Sequence, residues 1–465
     1  MPLHSVNREL TSQGTLTYGT EIPGRLLPSH RLPDASSPAS VAAALVRDEL
    51  ILDGNSRQNL ATFCTTWIAP EVRALMAECL DKNMIDKDEY PQTAEIESRC
   101  VHILADLWHA PDAAQAIGCS TTGSSEAAML GGLALKWRWR KRNLAAGKTL
   151  ERPNLVCGPV QVCWEKFARY FDVELRQIPL RSDAVGMAPQ DLRTYCDQNT
   201  IGVVATLGVT FTCTYEPIAE IAAALDQLQR ERGIDIPVHV DAASGGFVAP
   251  FIEADLLWDF RIPRVKSINA SGHKFGLAPL GVGWVIWRDA GELPDELIFR
   301  VDYLGGDMPT FALNFSRPAG EIIAQYYNFI HYGREGYEKI QRTCMATAQS
   351  LAAAVEKMGP FDILYGGRGG VPAVTYTLKD PALAGFSLYD LSDRLRMRGW
   401  QIASYPLPPN RERTVVQRIL IRHGVSADMA SLLAMDIRRA LADLAGRRPA
   451  GSSAGEDPIR APFHH

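Results

Sequence analysis

The chain has 465 residues, of which 46% are hydrophobic and 22% charged, with a formal net charge of -5; this balance excludes disordered and fibrous classes and allows one large core plus a smaller domain. Its basic residues are scattered except for Lys136 to Arg142, so no electrostatic footprint for nucleic acid exists. No apolar run approaches membrane-spanning length, and Met1 to Pro23 has neither a basic start nor a hydrophobic core, so a cytoplasmic protein without stable membrane insertion is expected.

Residues 1–57 read as an arm: Pro, Gly, Ser and Thr dominate to Pro33, and a helical pattern (Val41, Ala44, Leu45, Leu50) follows Pro38. Gln58 to Pro70 has no clear period, and Glu71 to Asn83 reads helical. After a helix carrying Val101, Leu104 and Leu107, strands are expected at 116–120, 154–158, 173–180, 201–210, 236–243, 265–270 and 282–287. Helices are expected between them at 161–171, 189–198 and 218–232, and the basic K-W-R-W-R-K-R run is a helix surface whose tryptophans pack inward. Apolar strands alternating with helices predict an α/β fold, a mostly parallel sheet flanked by helices, spanning 58–345. From Ala346 an Ala-rich helix, alternating strands at 371–378 and 415–421 and two amphipathic helices predict a smaller α+β domain, 346–465, with a tail from about Arg447.

Nine cysteines, without any C-x-x-C pair, argue against both disulfides and zinc, and the histidines carry no ligand pattern. No metal is expected.

Chemistry concentrates in three short stretches. Ser271-Gly272-His273-Lys274-Phe275-Gly276 follows an apolar strand and presents one lysine on a small-residue turn, an arrangement suited to imine chemistry with pyridoxal phosphate. Gly123-Ser124-Ser125-Glu126 opens a long helix, where two hydroxyls and free N–H groups can cradle a phosphate. His239-Val240-Asp241-Ala242-Ala243 ends a strand in an acid able to pair with a pyridine nitrogen. Thr210 and Gln161 also fall at strand ends, where a parallel sheet offers its ligand edge.

With C-G-P-V-Q-V-C-W-E-K-F-A-R-Y-F and N-F-S-R-P-A-G added, these motifs make the chain resemble the glutamate decarboxylases, of the fold type I pyridoxal phosphate-dependent enzymes, from about Gly54 to Ala445. The resemblance implies decarboxylation of L-glutamate to 4-aminobutyrate. Lys274 would carry the cofactor; Ser124, Ser125, His273 and a second subunit's Ser316 would hold its phosphate, with Ser271 also in the cofactor site. Asp241 would pair with the ring nitrogen, Gln161 and Ala243 would sandwich the ring, and Thr210 would approach its phenolic oxygen. Thr62, Phe63, Asn83 and Asp86 would accept the distal carboxylate, partly across a homodimer that assembles into a hexamer, and Arg422 would receive the α-carboxylate. Tyr303, beside Gly305-Gly306, is an alternative to Lys274 as proton donor. The tail has no basic Trp-containing helix, so calmodulin is not expected as a partner, while Phe463-His464-His465 resembles the segment that closes the site in acid-response relatives. Other fold type I activities, and a non-catalytic role for the fold, stay open on the residues alone.

Overall fold

In a computed structural model the described residues are 30–181, 184–302 and 308–445; Tyr303, the Gly305-Gly306 pair and the tail lie outside them. The chain divides into two compact units, 1–54 and 55–465. In the first, α1 (Ala39–Leu50) buries none of its side chains.

In the second unit, α2 (Pro70–Ala77) and α3 (Pro91–Leu107) both begin with proline, whose fixed φ suits a first helical turn. There follow β1 (Ile117–Thr121), α4 (Ser124–Ala145), β2 (Asn154–Cys157), α5 (Val162–Tyr170), β3 (Glu174–Gln177), the single turn α6 (Leu192–Tyr195) and β4 (Thr200–Thr206). Then come α7 (Ile218–Arg232), β5 (Val238–Asp241), α8 (Ala249–Ile252), β6 (Val265–Ser271), β7 (Gly283–Trp287) and a small hairpin of β8 (Phe299–Val301) and β9 (Met308–Thr310). The order of the large sheet is β1-β7-β6-β5-β4-β2-β3. Pairing is parallel from β6 to β3, and β7 runs antiparallel to both β6 and β1. Every residue of β4, T-I-G-V-V-A-T, is buried, which is why this strand reads as an apolar run without alternation. In the basic run of α4, Trp139 is buried and Trp137 partly buried against the same core, with the Arg140 guanidinium 5.4 Å from the Trp137 ring.

α9 (Gly320–Glu356) passes through the expected boundary at 345/346 and is interrupted at Gly333, φ 55°. Ile322 and Tyr337 pack in the core of the large sheet, whereas Cys344, Ala348, Leu351 and Val355, further along, pack in a second core. That core belongs to β10 (Phe361–Tyr365), β11 (Ala373–Leu378), α10 (Pro381–Ala384), α11 (Leu388–Arg396), β12 (Ala403–Pro406), β13 (Val415–Leu420) and α12 (Ala427–Ala445), whose strands form an antiparallel sheet ordered β10-β11-β13-β12. All nine cysteines are free, and all but Cys64 are buried. Among the described residues no cluster could hold a metal ion, and no helix is long and apolar enough to cross a membrane.

Candidate active site

Because β7 is antiparallel to both β1 and β6, the strands β1, β2, β4, β5 and β6 end on one edge. There a cavity of about 320 Å³ opens. Ser124, Ser125, Gln161, Thr210, Asp241, Ala243, Ser271, His273 and Lys274 all line it, together with Glu126, Thr206 and Ser244.

Lys274 owes its position to backbone clamps. The Thr65 hydroxyl donates to the Lys274 carbonyl at 2.8 Å and the Thr65 N–H to the His273 carbonyl at 2.8 Å. From α9, Gln325 and Tyr337 donate to the Gly276 carbonyl at 3.0 and 2.8 Å, and Gln341 to the Phe275 carbonyl at 3.0 Å. The ammonium that results lies 3.3 Å from the Ser244 hydroxyl and 5.0 Å from the centre of the Phe63 ring. Burial lowers its pKa, the Asp241 charge opposes that, and the Arg418 guanidinium adds to the lowering. A larger fraction of neutral amine is what a carbonyl-attacking lysine needs.

At the far end, the loop of residues 122–126 delivers the N-terminus of α4 to the cavity. A Cβ on Gly283 would come within 2.6 Å of the Ser124 nitrogen, so only glycine at the start of β7 lets the loop settle there. Gln161 caps α5, its side-chain carbonyl accepting from the Cys163 N–H at 2.6 Å. Burial, reinforced by the Lys274 charge, lowers the His273 pKa to about 4, so this imidazole is neutral at physiological pH. His273 Nδ1, Ser271 Oγ and Thr206 Oγ1 are buried beside the cavity without a protein partner. Buried polar atoms that cost free energy unless satisfied, next to a helix N-terminus, fit a phosphate-bearing polar ligand, so this set of residues fits pyridoxal phosphate.

Asp241 is held as an acceptor from three sides: Trp164 Nε1 donates at 2.8 Å, Asn269 Nδ2 at 3.1 Å and the Ala243 N–H at 3.1 Å. Such donors stabilise a carboxylate and fix its orientation.

Arg422, the arginine expected at the α-carboxylate, has its donors turned to backbone carbonyls. Arg422 is 2% exposed, and its guanidinium donates to the carbonyls of Cys64 and Asn59, tying that segment to the end of β13. Arg418, inside β13, lies over the Phe63 ring at 4.4 Å, on the ring that Lys274 also approaches, and donates to the Ala61 carbonyl at 2.7 Å and to the Thr210 carbonyl. The geometry therefore assigns the site-facing guanidinium to Arg418. The sequence did carry a signal, since Arg418 is a charge inside a strand otherwise destined for burial, V-V-Q-R-I-L.

Thr62 and Phe63 belong to the same side, Thr62 adjoining the Ala61 carbonyl that Arg418 holds. Asn83, Asp86 and Ser316 form a separate group outside the cavity lining. Asn83 donates to the Ser316 hydroxyl at 3.3 Å and accepts from the Arg317 N–H at 3.1 Å, and the Asp86 N–H donates to the Asn83 carbonyl at 3.1 Å. Ser316 is exposed.

Residues 34–379 match the family described as the pyridoxal-dependent decarboxylase conserved domain. A glutamate decarboxylase of Aliivibrio fischeri is 61% identical over 438 residues, 94% of either chain, and a glutamate decarboxylase beta of Listeria innocua is 48% identical over 92% of either chain. Among solved structures, the glutamate decarboxylase of Lactobacillus brevis superposes with a TM-score of 0.89 at 47% identity, covering 93% of this chain and 98% of that one.

Proposed function

The chain belongs to the pyridoxal-dependent decarboxylase family, and from that premise we propose that it converts L-glutamate to 4-aminobutyrate and carbon dioxide with uptake of one proton. The observation that carries this reading is the convergence of Lys274, Asp241 and the α4 N-terminus on one cavity, with Arg418 beside them. Lys274 would hold pyridoxal phosphate covalently through Nζ. The N-terminus of α4, Ser124, Ser125, Ser271 and His273 would hold its phosphate; Asp241 would pair with the ring nitrogen; Gln161 and Ala243 would flank the ring, with Thr210 at its phenolic oxygen. Bound there, the cofactor supplies an electron sink for the pair left when the Cα–carboxylate bond breaks.

The residues decide which bond is aligned. Arg418, braced by two carbonyls and by the Phe63 face, offers a charged donor to the α-carboxylate, which orients the bond to be broken. Phe63 keeps water from the departing carboxylate, and lower hydration of that anion favours its loss as neutral carbon dioxide. In its protonated form the amine of Lys274, screened by the same ring, would be the acid for Cα.

Thr62 and Phe63, with Asn83 and Asp86 of a second copy, are proposed for the distal carboxylate. Ser316 lies outside the cavity of its own chain, in an exposed segment with Leu313 and Phe315, which suits a residue given to another subunit's phosphate. A homodimer, assembled further into a hexamer in the cytoplasm, is the arrangement we propose.

Carbon dioxide and amine products should be measured with glutamate, aspartate and tyrosine, and with a Lys274→Ala control. The expected result is 4-aminobutyrate from glutamate alone and none from the variant. Keto-acid products, preference for tyrosine, or full turnover by the variant would overturn the reading.

A further inference from the structure

Beneath the cavity a column of polar side chains runs through the sheet between β5 and β6. His239 and Asp241 alternate with Val238 and Val240 on β5, so they share one face, and the ladder sets His239 opposite Ser267 and Asp241 opposite Asn269. All four are buried. Helix α4 closes over them, where a Cβ on Gly131 would approach His239 Nδ1 to 2.7 Å, and the Trp164 ring of α5 meets the imidazole edge-on at 5.2 Å.

The donors in this column can be assigned by elimination. Asp241 accepts, so the Asn269 group facing it at 3.1 Å must be its NH2, because the reversed amide would set oxygen against carboxylate. The Asn269 oxygen then faces His239 Nε2 at 2.7 Å and can only accept, which puts a hydrogen on Nε2. Nδ1 lies 2.7 Å from the Ser267 hydroxyl, whose hydrogen it can accept only if it carries none itself, a neutral state that burial of the imidazole favours. Every bond from Ser267 to Asp241 therefore points the same way. The second hydrogen of the Asn269 NH2 goes to Ser124 Oγ at 2.5 Å. With that oxygen acting as acceptor, the Ser124 hydroxyl hydrogen is left for the cavity.

We propose that Asn269, fixed by the Ser267–His239 pair, is a positioning residue for both ends of the cofactor site, keeping Asp241 an acceptor toward the ring nitrogen and turning the Ser124 hydroxyl toward the phosphate. One amide couples the two ends, so losing it weakens both together. The inference rests on the placement of the cofactor under the proposed function. It adds a requirement that the placement alone does not make, a single His239 tautomer and a single Asn269 orientation.

Two measurements test it on the holoenzyme. Solid-state 15N spectra of protein labelled at the histidine rings, with the His239 signals assigned by their loss in His239→Gln, should show Nε2 protonated and Nδ1 bare. Asn269→Ala, and the isosteric Asn269→Asp, should release pyridoxal phosphate about tenfold or more faster at equilibrium affinity weakened to match, and shift the visible absorption of the bound cofactor. Ser267→Ala should leave affinity closer to wild type with His239 Nε2 still protonated, because the Asn269 oxygen facing it can only accept. An Nδ1-protonated or doubly protonated His239 in the wild type overturns the assignment whether or not the variants fold, and so do Asn269 variants that bind the cofactor as tightly as wild type with an unchanged spectrum. If wild-type protein bound no pyridoxal phosphate at all, the proposed function itself would fail, a distinguishable result.

Discussion

Arg418 and Arg422 lie four residues apart in one stretch, yet their surroundings give them different work. Arg422 donates to two backbone carbonyls in a buried setting, so Arg422→Ala leaves carbonyls unpaired and should lower the unfolding free energy by about 1–3 kcal/mol. Turnover by the molecules that stay folded should fall little. Arg418→Ala also unpairs two backbone carbonyls, so its stability should fall by a similar amount, but it removes in addition a charged donor beside Phe63 and Lys274, and kcat/KM for glutamate should drop about a hundredfold or more. Melting temperatures and steady-state kinetics of the pair decide the matter, and the opposite pattern would return the α-carboxylate to Arg422. Much of the site was legible because its residues stand in contiguous motifs at strand ends: Ser124, Asp241 and Lys274 declare themselves by type and place. Arg418 did not, since telling it from Arg422 requires knowing which side of β13 meets Phe63. Thr65, Gln325 and Tyr337 were equally hidden, because they act on backbone carbonyls far away in sequence.

Between residue and fold, Glu216 shows how an element is fastened behind the site. One carboxyl oxygen accepts from the Met187 N–H at 2.6 Å and the other from the Thr206 N–H at 2.7 Å, so the end of β4 is clipped to a neighbouring loop. Burial pushes its pKa up from 4.5 to about 7, the two N–H donors oppose that, and the Asp241 charge adds to it. An acid that holds its proton more tightly when folded contributes most below pH 4.5, and that contribution fades as pH rises toward 7. The span is on the order of 3 kcal/mol. Glu216→Gln cannot titrate, so unfolding free energies at pH 4.5 and pH 7, taken by urea at fixed protein concentration, should differ less for the variant than for wild type. Equal slopes would show that folding does not shift the Glu216 pKa. The elements themselves were read unevenly. α7 matches its expected span, 218–232, because its apolar residues recur at helical spacing and Gly233, φ 68°, stops it. The first half of α9 went unread, since the polar Gln325 and Asn328 are buried and Gly333 breaks the period. The antiparallel direction of β7 was equally hidden, because a short apolar run carries no sign of direction.

At the scale of the whole molecule, the loop bearing Ser316 is held by its own chain from two directions. Asn83 grips Ser316 and the Arg317 N–H, and Arg317 pairs with Glu97 and Ser120 in the interior. Glu126, at the start of α4, accepts from the N–H groups of Leu313 and Asn314. A loop so firmly tied, with an exposed serine at its tip, can act on a second copy without reorganising first, which lowers the entropic cost of binding. Ser316→Asp should then place a negative charge against the phosphate of a partner and weaken cofactor retention there, while Lys274→Ala disables the site of its own chain. Neither homodimer should turn over well. A hybrid of the two has one site with both defects and one with none, so co-expression with different affinity tags should recover activity approaching one working site per dimer. Cofactor content should follow the same proportion. Hybrids that are proven dimers yet remain inactive would mean that Ser316 serves its own chain, and the exposed loop would then need another explanation.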